Sequence, residues 1–324
     1  LWIDLEGDAP VTDRIKRRKN FAKKDFCMKK RSYVLTLTAI FVGAALFPSN
    51  TYQTLSVDGM PVEFVFRSLQ PGEVILAVLK KEPPAKAVRI QFLDKKYVLS
   101  ASRPDEMPFA LIGIDLGVKP RSYTLRITAE KADGTKEDAR REFLVEAKSF
   151  SQKRFWVKES LIVPPPQEQE RIRREQELLQ DIYNCITPEW LGSGSFIPPL
   201  DQEPFPNFGQ RRIYNNRPPS LHAGVDIGAP WGTPIRAANS GKVVLASSLY
   251  FSGKTVIIEH GQGVFSIYGH MSNFLVKRGD AVKKGALIGK VGSTGRSTGP
   301  HLHWALKIYE SRVDPFALVG MPLD

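Results

Sequence analysis

Apolar and polar residues alternate in short runs along most of this 324-residue chain, and glycine or proline punctuates nearly every run. A side-chain period of two, broken by turn formers every few residues, is the pattern of strands with one face buried and leaves little room for a helical bundle. The 25 glycines and 24 prolines fit that reading, because tight turns need the backbone freedom of one and the fixed φ of the other. With 42% hydrophobic residues the chain can bury a sizeable core, and its length suggests two domains. A mainly β fold is therefore expected.

In the first half, strands are expected at 62–66, 73–79, 88–92, 109–114, 122–128 and 142–147, separated by Gln70-Pro71-Gly72, Pro83-Pro84, Lys119-Pro120 and Asp133-Gly134. Six or seven strands over 51–155 predict an N-terminal immunoglobulin-like β-sandwich. No histidine falls in it, and its charges are scattered as on a solvated face. Pro164-Pro165-Pro166 then breaks the chain, and Gln167 to Tyr183, free of Gly and Pro and rich in Glu, Gln, Arg and Leu, reads as a helix within a linker region, 156–200. Its apolar stripe, Ile172, Leu179, Ile182 and Tyr183, is narrow, so the helix is expected to pack on one side only. Glu170 and Arg174 stand one turn apart and support it. A loop rich in Pro, Gly and Asn runs to about Pro219, and an antiparallel β domain, 201–324, is expected to follow, with strands near 241–246, 255–259, 263–268, 287–291 and 303–308.

The amino-terminal end carries a different signal. Met28-Lys29-Lys30-Arg31 precedes the apolar run Tyr33 to Phe47, with Gly43-Ala44-Ala45 supplying small residues; this is the layout of a secretory signal peptide or an uncleaved anchor over 28–47. Residues 1–27 are polar and aperiodic, and are read as a mis-called or disordered extension, with Met28 as the expected start. No run of 18 apolar residues offers an ordinary spanning helix, so a membrane contact is expected only if the 28–47 segment is retained. The whole chain carries +12, and the part after residue 45 still carries +7. Nucleic acid is not the expected partner of this charge: no basic patch interleaved with aromatics occurs, and export would remove the partner. Two cysteines, Cys27 and Cys185, make neither a disulfide scaffold nor a thiolate zinc site; Cys185 is read as a small buried apolar side chain. Any metal must be held by histidine and carboxylate.

Four of the five histidines fall in three short motifs. His222-Ala223-Gly224-Val225-Asp226 places an imidazole and a carboxylate four residues apart, close enough to converge on one ion. In His301-Leu302-His303, residues i and i+2 of a strand point to the same face, so both rings enter one cleft. Tyr268-Gly269-His270 ends an alternating strand. His222, Asp226 and one histidine of the pair could supply the three protein ligands of an open catalytic zinc site, leaving two histidines for proton and charge work. His260, in a turn, is read as structural.

In this order the motifs H-x3-D, Y-x-H and G-P-H-L-H resemble the lysostaphin-type (LytM) zinc peptidases, which hydrolyse peptide bonds in bacterial peptidoglycan. The resemblance extends over about Phe208 to Leu318 and takes in Phe208-Gly209-Gln210-Arg211-Arg212, Gly228-Ala229-Pro230-Trp231-Gly232-Thr233-Pro234 and Val313-Asp314-Pro315. By position it implies that His222, Asp226 and His303 ligate one zinc ion and that His270 and His301 are the catalytic pair. It further implies an exported zinc metalloendopeptidase of the periplasm or cell envelope, acting on cross-links or stem peptides, with cell-wall or division proteins as partners. The competing expectation is a non-hydrolytic activator of a cell-wall amidase; such proteins typically lose a metal ligand, and all five positions are filled here. A lipoyl- or biotinyl-type carrier is disfavoured because Val282 to Gly289 lacks an attachment motif. Trp304-Ala305 follows the H-L-H where Phe-Glu is frequent, and Trp304 is expected to alter substrate fit; Met271 replaces a common Leu. Arg211 and Arg212 are candidates to contact substrate carboxylates, but as loop arginines they are read as solvated and are not placed in the site.

Overall fold

A computed structural model describes residues 52–80, 85–99, 108–131, 133–157, 159 and 162–323. The expectations for 1–27 and 28–47 lie outside these residues. The first eight strands are β1 (Gln53–Ser56), β2 (Val62–Phe66), β3 (Val74–Leu79), β4 (Ala87–Phe92), β5 (Lys95–Leu99), β6 (Phe109–Gly113), β7 (Arg121–Glu130) and β8 (Lys136–Val145). They form two four-stranded antiparallel sheets, ordered β1-β2-β3-β6 and β5-β4-β7-β8. Alternation drives the packing: Val62, Phe64 and Phe66 from one sheet and Val88, Ile90 and Phe92 from the other turn into one shared core. Phe143 sits between them, edge-on to Phe64 at 5.6 Å and to Phe92 at 5.7 Å.

Beyond these sheets, β9 (Gln152–Phe155) leads to α1 (Pro166–Asn184), then β10 (Arg211–Tyr214) and β11 (Ser220–Leu221). Here β10 pairs with β9 in parallel and with β11 antiparallel. The helix begins with Pro166 in its first turn, where a missing N–H costs nothing. As expected, it buries one side only: Ile182 and Tyr183 pack with Leu245, Leu249, Ile257 and Phe265. Glu170 accepts from Arg174 at 2.8 Å.

The last nine strands are β12 (Val225–Gly228), β13 (Pro234–Arg236), β14 (Gly241–Leu249), β15 (Gly253–Glu259), β16 (Val264–Phe274), β17 (Ala281–Val282), β18 (Leu287–Val291), β19 (His301–Ile308) and β20 (Ser311–Val313). They make one antiparallel sheet whose main path runs β12-β19-β16-β15-β14-β17. The core of this region gathers Ile227, Ile258, Tyr268, Leu302, Trp304 and Leu306. Charged contacts tie it to the first sheets. Arg67 bridges Glu73 at 2.6 Å and Asp314 at 3.1 Å, Arg312 pairs with Asp115 at 2.7 Å, and Phe109 meets Trp190 edge-on at 5.3 Å.

Two strands, β1 and β9, expose most of their side chains, and so does the first part of β8, which begins six residues earlier than its apolar end suggests; these sequences look like loop while their backbones are held by neighbours. β5 alternates, with Tyr97 and Leu99 buried, and lies outside the strands expected from the sequence. Cys185 is a correction: it caps α1 and is exposed, because the buried stripe of the helix ends at Tyr183.

Candidate metal centre

Antiparallel pairing of β12 with β19 sets Asp226 directly across from His303, and Gly228 across from His301. Cross-strand partners stand about 5 Å apart, so the pairing alone carries the Asp226 carboxylate to the His303 ring: Oδ1 lies 3.0 Å from Nδ1. His222 enters from the end of β11. Its Nε2 lies 3.1 Å from His303 Nδ1 and 3.3 Å from Asp226 Oδ1. Two atoms that each bond a tetrahedral zinc at about 2.0–2.1 Å are themselves about 3.3 Å apart, so this set of two nitrogens and one oxygen has the spacing and chemistry for such an ion. All three side chains are buried. These are the three residues among those described whose donor atoms cluster closely enough to hold a metal.

The surrounding groups fix which atom of each residue faces the centre. His222 Nδ1 is 2.9 Å from the Asn207 carbonyl, which only accepts, and 3.2 Å from Arg212 Nη2, which only donates; the carbonyl contact is the shorter, and with the proton on Nδ1 the lone pair of Nε2 is presented to the centre. Asn207 also donates through Nδ2 to Asp226 Oδ2 at 2.9 Å and accepts from the Asp226 amide at 3.1 Å. Arg212 donates to the same Oδ2 at 2.8 Å. The two carboxylate oxygens are thus divided, Oδ2 to Arg212 and Asn207, Oδ1 to the histidines. Burial alone would push the Asp226 carboxyl up; the imidazoles of His222 and His303 outweigh it and hold it well below the usual carboxylate range. Arg212 corrects the sequence reading, since its side chain is fully buried rather than solvated. Asn207 did not stand out in the sequence, and nothing there linked Arg212 to Asp226. The signal that could have found them is the need of a buried carboxylate for donors.

His270 and His301 flank this group, with ring centroids 4.7 Å apart; His301 Nε2 lies 3.8 Å from Asp226 Oδ1, and the His270 ring is 6.1 Å from that of His303. A bulge delivers His270. The pairing of β15 with β16 slips between Lys254 and Val256, opposite His270, whose φ is 60°. Such a bulge turns a side chain out of the strand alternation. Two glycines make room for the acceptor that holds the ring. Gly253 and Gly295 touch backbone to backbone, and a Cβ on Gly253 would lie 2.3 Å from the Thr294 carbonyl. That carbonyl accepts from His270 Nδ1 at 2.8 Å, and the Gly299 carbonyl accepts from His301 Nδ1 at 2.9 Å. In both rings Nε2 is left as the basic atom. A second close approach occurs at Gly224, where a Cβ would stand 2.6 Å from the Trp304 carbonyl and 2.7 Å from His303 Cε1.

Two further positions settle differently from expectation. Trp304 is fully buried, because alternation along β19 sends 301, 303 and 305 to one face and 302, 304 and 306 into the core; it packs on Phe316 at 5.3 Å and does not touch the cleft. His260 lies in the core, where Nδ1 donates to the Ser240 carbonyl and Nε2 meets Ser266 Oγ, both at 2.7 Å. Desolvation pulls its pKa down to about 4.

An antiparallel β protein with a buried His-Asp-His group and two more histidines beside it is the class that fold and site define. Residues 220–315 match the sequence profile of Peptidase family M23. A solved peptidase M23 structure from Pseudomonas aeruginosa is 31% identical, superposes with a TM-score of 0.60, and is covered over 96% of its length by 78% of this chain. The chain belongs to peptidase family M23. It is also 44% identical over 102 residues to the DD-carboxypeptidase/endopeptidase Mpg of Neisseria meningitidis, and 41% identical over 101 residues to the peptidoglycan DD-endopeptidase ShyA of Vibrio cholerae. These alignments take in 32% and 31% of this chain but 23% and 24% of the relatives, so the matched stretch spans about a quarter of their length.

Proposed function

We propose that this protein is a zinc metalloendopeptidase that hydrolyses peptide bonds in bacterial peptidoglycan. The observation that carries the reading is the convergence of His222 Nε2, Asp226 Oδ1 and His303 Nδ1, with the basic Nε2 atoms of His270 and His301 beside them. The curated relatives named for peptidoglycan cleavage support the substrate class.

In this reading His222, Asp226 and His303 hold the ion, which when bound supplies a Lewis acid for the scissile carbonyl and a more acidic water. Asp226 stays ionised, its outer oxygen kept in place by Arg212 and Asn207. His270 and His301 are the proton-handling pair: each is anchored through Nδ1–H to a backbone carbonyl and presents Nε2 towards the reacting groups. One receives the proton of the attacking water and the other serves the oxyanion or the leaving amine, so no Ser or Cys nucleophile is needed.

We further propose that residues 201–324 form the peptidase domain and 156–200 its helical linker, and that the two-sheet unit of 51–155 is an immunoglobulin-like accessory domain, in keeping with its strand orders β1-β2-β3-β6 and β5-β4-β7-β8. Its substrate sets its place in the cell envelope, and the 28–47 segment supplies export to the periplasm. The test is zinc analysis of the purified protein together with mass spectrometry of muropeptides after incubation with purified peptidoglycan. New amino termini at peptide bonds are expected. Full metal occupancy without hydrolysis would overturn the enzyme and favour an amidase activator.

A further inference from the structure

Alternation along β19 places His301, His303, Ala305 and Lys307 on one face of the strand. A cavity of about 300 Å³ follows that face from His270 and His303 to Lys307, and α1 forms its far wall through Ile172, Gln176, Leu179 and Tyr183. The helix lies outside residues 220–315, so this wall is not part of the segment that matches the family profile. The remaining lining is mixed: Leu249, Ile257, Ile267 and Ala305 are aliphatic, whereas Glu175, Gln180, Ser252 and Thr255 are polar.

Lys307 supplies an ammonium to this lining. Its ammonium lies 4.0 Å from the centroid of the Tyr183 ring, and among the described residues it has no carboxylate at ion-pair distance. The neighbouring acids are engaged elsewhere: Glu310 accepts from Gln180, Asp115 from Arg312, and Glu175 from Arg171 and the Tyr250 amide. Partial burial lowers the Lys307 pKa, and Glu310 and Asp115 oppose that lowering only from beyond ion-pair distance. An aromatic face stabilises it only in part. An incoming carboxylate would complete the pairing, and Ile172, Leu179, Leu249, Ile257 and Ile267 suit the apolar part of the chain that leads to it.

We propose that this cavity is a subsite for a peptide segment bearing a free carboxylate, and that Lys307 is the specificity-determining residue that receives it. Four residues of strand separate Lys307 from His303, about 13 Å, so the carboxylate sits about three to four residues from the bond under attack when the peptide is extended. The proposal rests on the peptidase reading for the identity of the ligand, but its test does not need turnover.

The probe is a synthetic N-acetylated stem peptide whose terminal carboxylate is its one free acid, compared with the same peptide as its carboxamide. Binding is measured by calorimetry to the full-length, metal-stripped chain. The acid form is expected to bind about 10-fold more tightly. Lys307→Met should abolish that preference, Lys307→Arg should keep it, and Gln176→Trp, which fills the cavity from the helix, should weaken both forms. Equal affinities for wild type, a preference that survives Lys307→Met, or no measurable binding of either form would overturn the proposal. Carboxylate preference in binding with no hydrolysis by the zinc-loaded chain would leave the subsite standing and remove the peptidase reading instead.

Discussion

Arg212 donates Nη2 to Asp226 Oδ2 across 2.8 Å, with both side chains withdrawn from solvent. The consequence is a carboxylate with one oxygen committed to the scaffold and the other turned to His222 and His303. Arg212→Met is expected to lower metal affinity by about 10- to 100-fold, read by competition with a chelator, and to lower the thermal midpoint by leaving a buried charge short of a partner. Arg212→Lys should fall between, since it keeps the charge but not the planar fork. Unchanged metal affinity in Arg212→Met would show that the pair only supports the fold.

A metal-holding histidine and a proton-handling one should separate on mutation. His303→Ala is expected to lose zinc and hydrolysis together. His270→Ala is expected to keep zinc while hydrolysis falls by about 10²- to 10⁴-fold. Metal content by elemental analysis and release of amino groups from peptidoglycan give the two readouts. Wall hydrolysis at the wild-type rate in both variants would contradict the assignment.

Gly224 faces the Trp304 carbonyl so closely that a methyl group must displace β19 or the His303 ring. Gly224→Ala should therefore destabilise the protein by about 1–3 kcal/mol, and should weaken zinc retention as well. Denaturant unfolding and chelator competition on one preparation test both parts. An alanine variant with normal stability and metal binding would mean that the approach relaxes at no cost.

A pH effect follows from His260. Its folded-state pKa is depressed to about 4 by burial, against about 6.5 for an unfolded histidine. Between these values the unfolded chain binds more protons, so stability is full above pH 6.5 and is lost as pH falls towards 4. The loss from this one group is about 3 kcal/mol. His260→Gln should flatten the stability profile over that window, as measured by chemical unfolding at several pH values; an unchanged slope would assign the acid sensitivity to other groups.

The sequence made the strands legible where one face is apolar and a glycine or proline follows, as at Val62–Phe66 and Leu287–Val291. It concealed those whose side chains mostly face water: Gln53–Ser56 and Gln152–Phe155 are held by their partners' backbones, which no local pattern records. The histidines and Asp226 stood out because so few residue types hold a metal and their spacings are compatible with one ion. The role of Arg212 and Asn207 did not, since donors to a buried carboxylate come from wherever the fold brings them and have no fixed spacing to it. Trp304 was misjudged for the opposite reason: adjacency in sequence to His303 means opposite faces in a strand.

The parallel pairing of β9 with β10 bears on how this molecule can be handled at the bench. Trimming the chain to begin at residue 201 would discard Gln152–Phe155 and strip one hydrogen-bonding edge from the strand that carries Arg212. An uncovered edge of that kind invites pairing with another copy. Such a fragment is expected to aggregate and to hold its ion loosely, whereas one beginning before residue 152 keeps the strap in place.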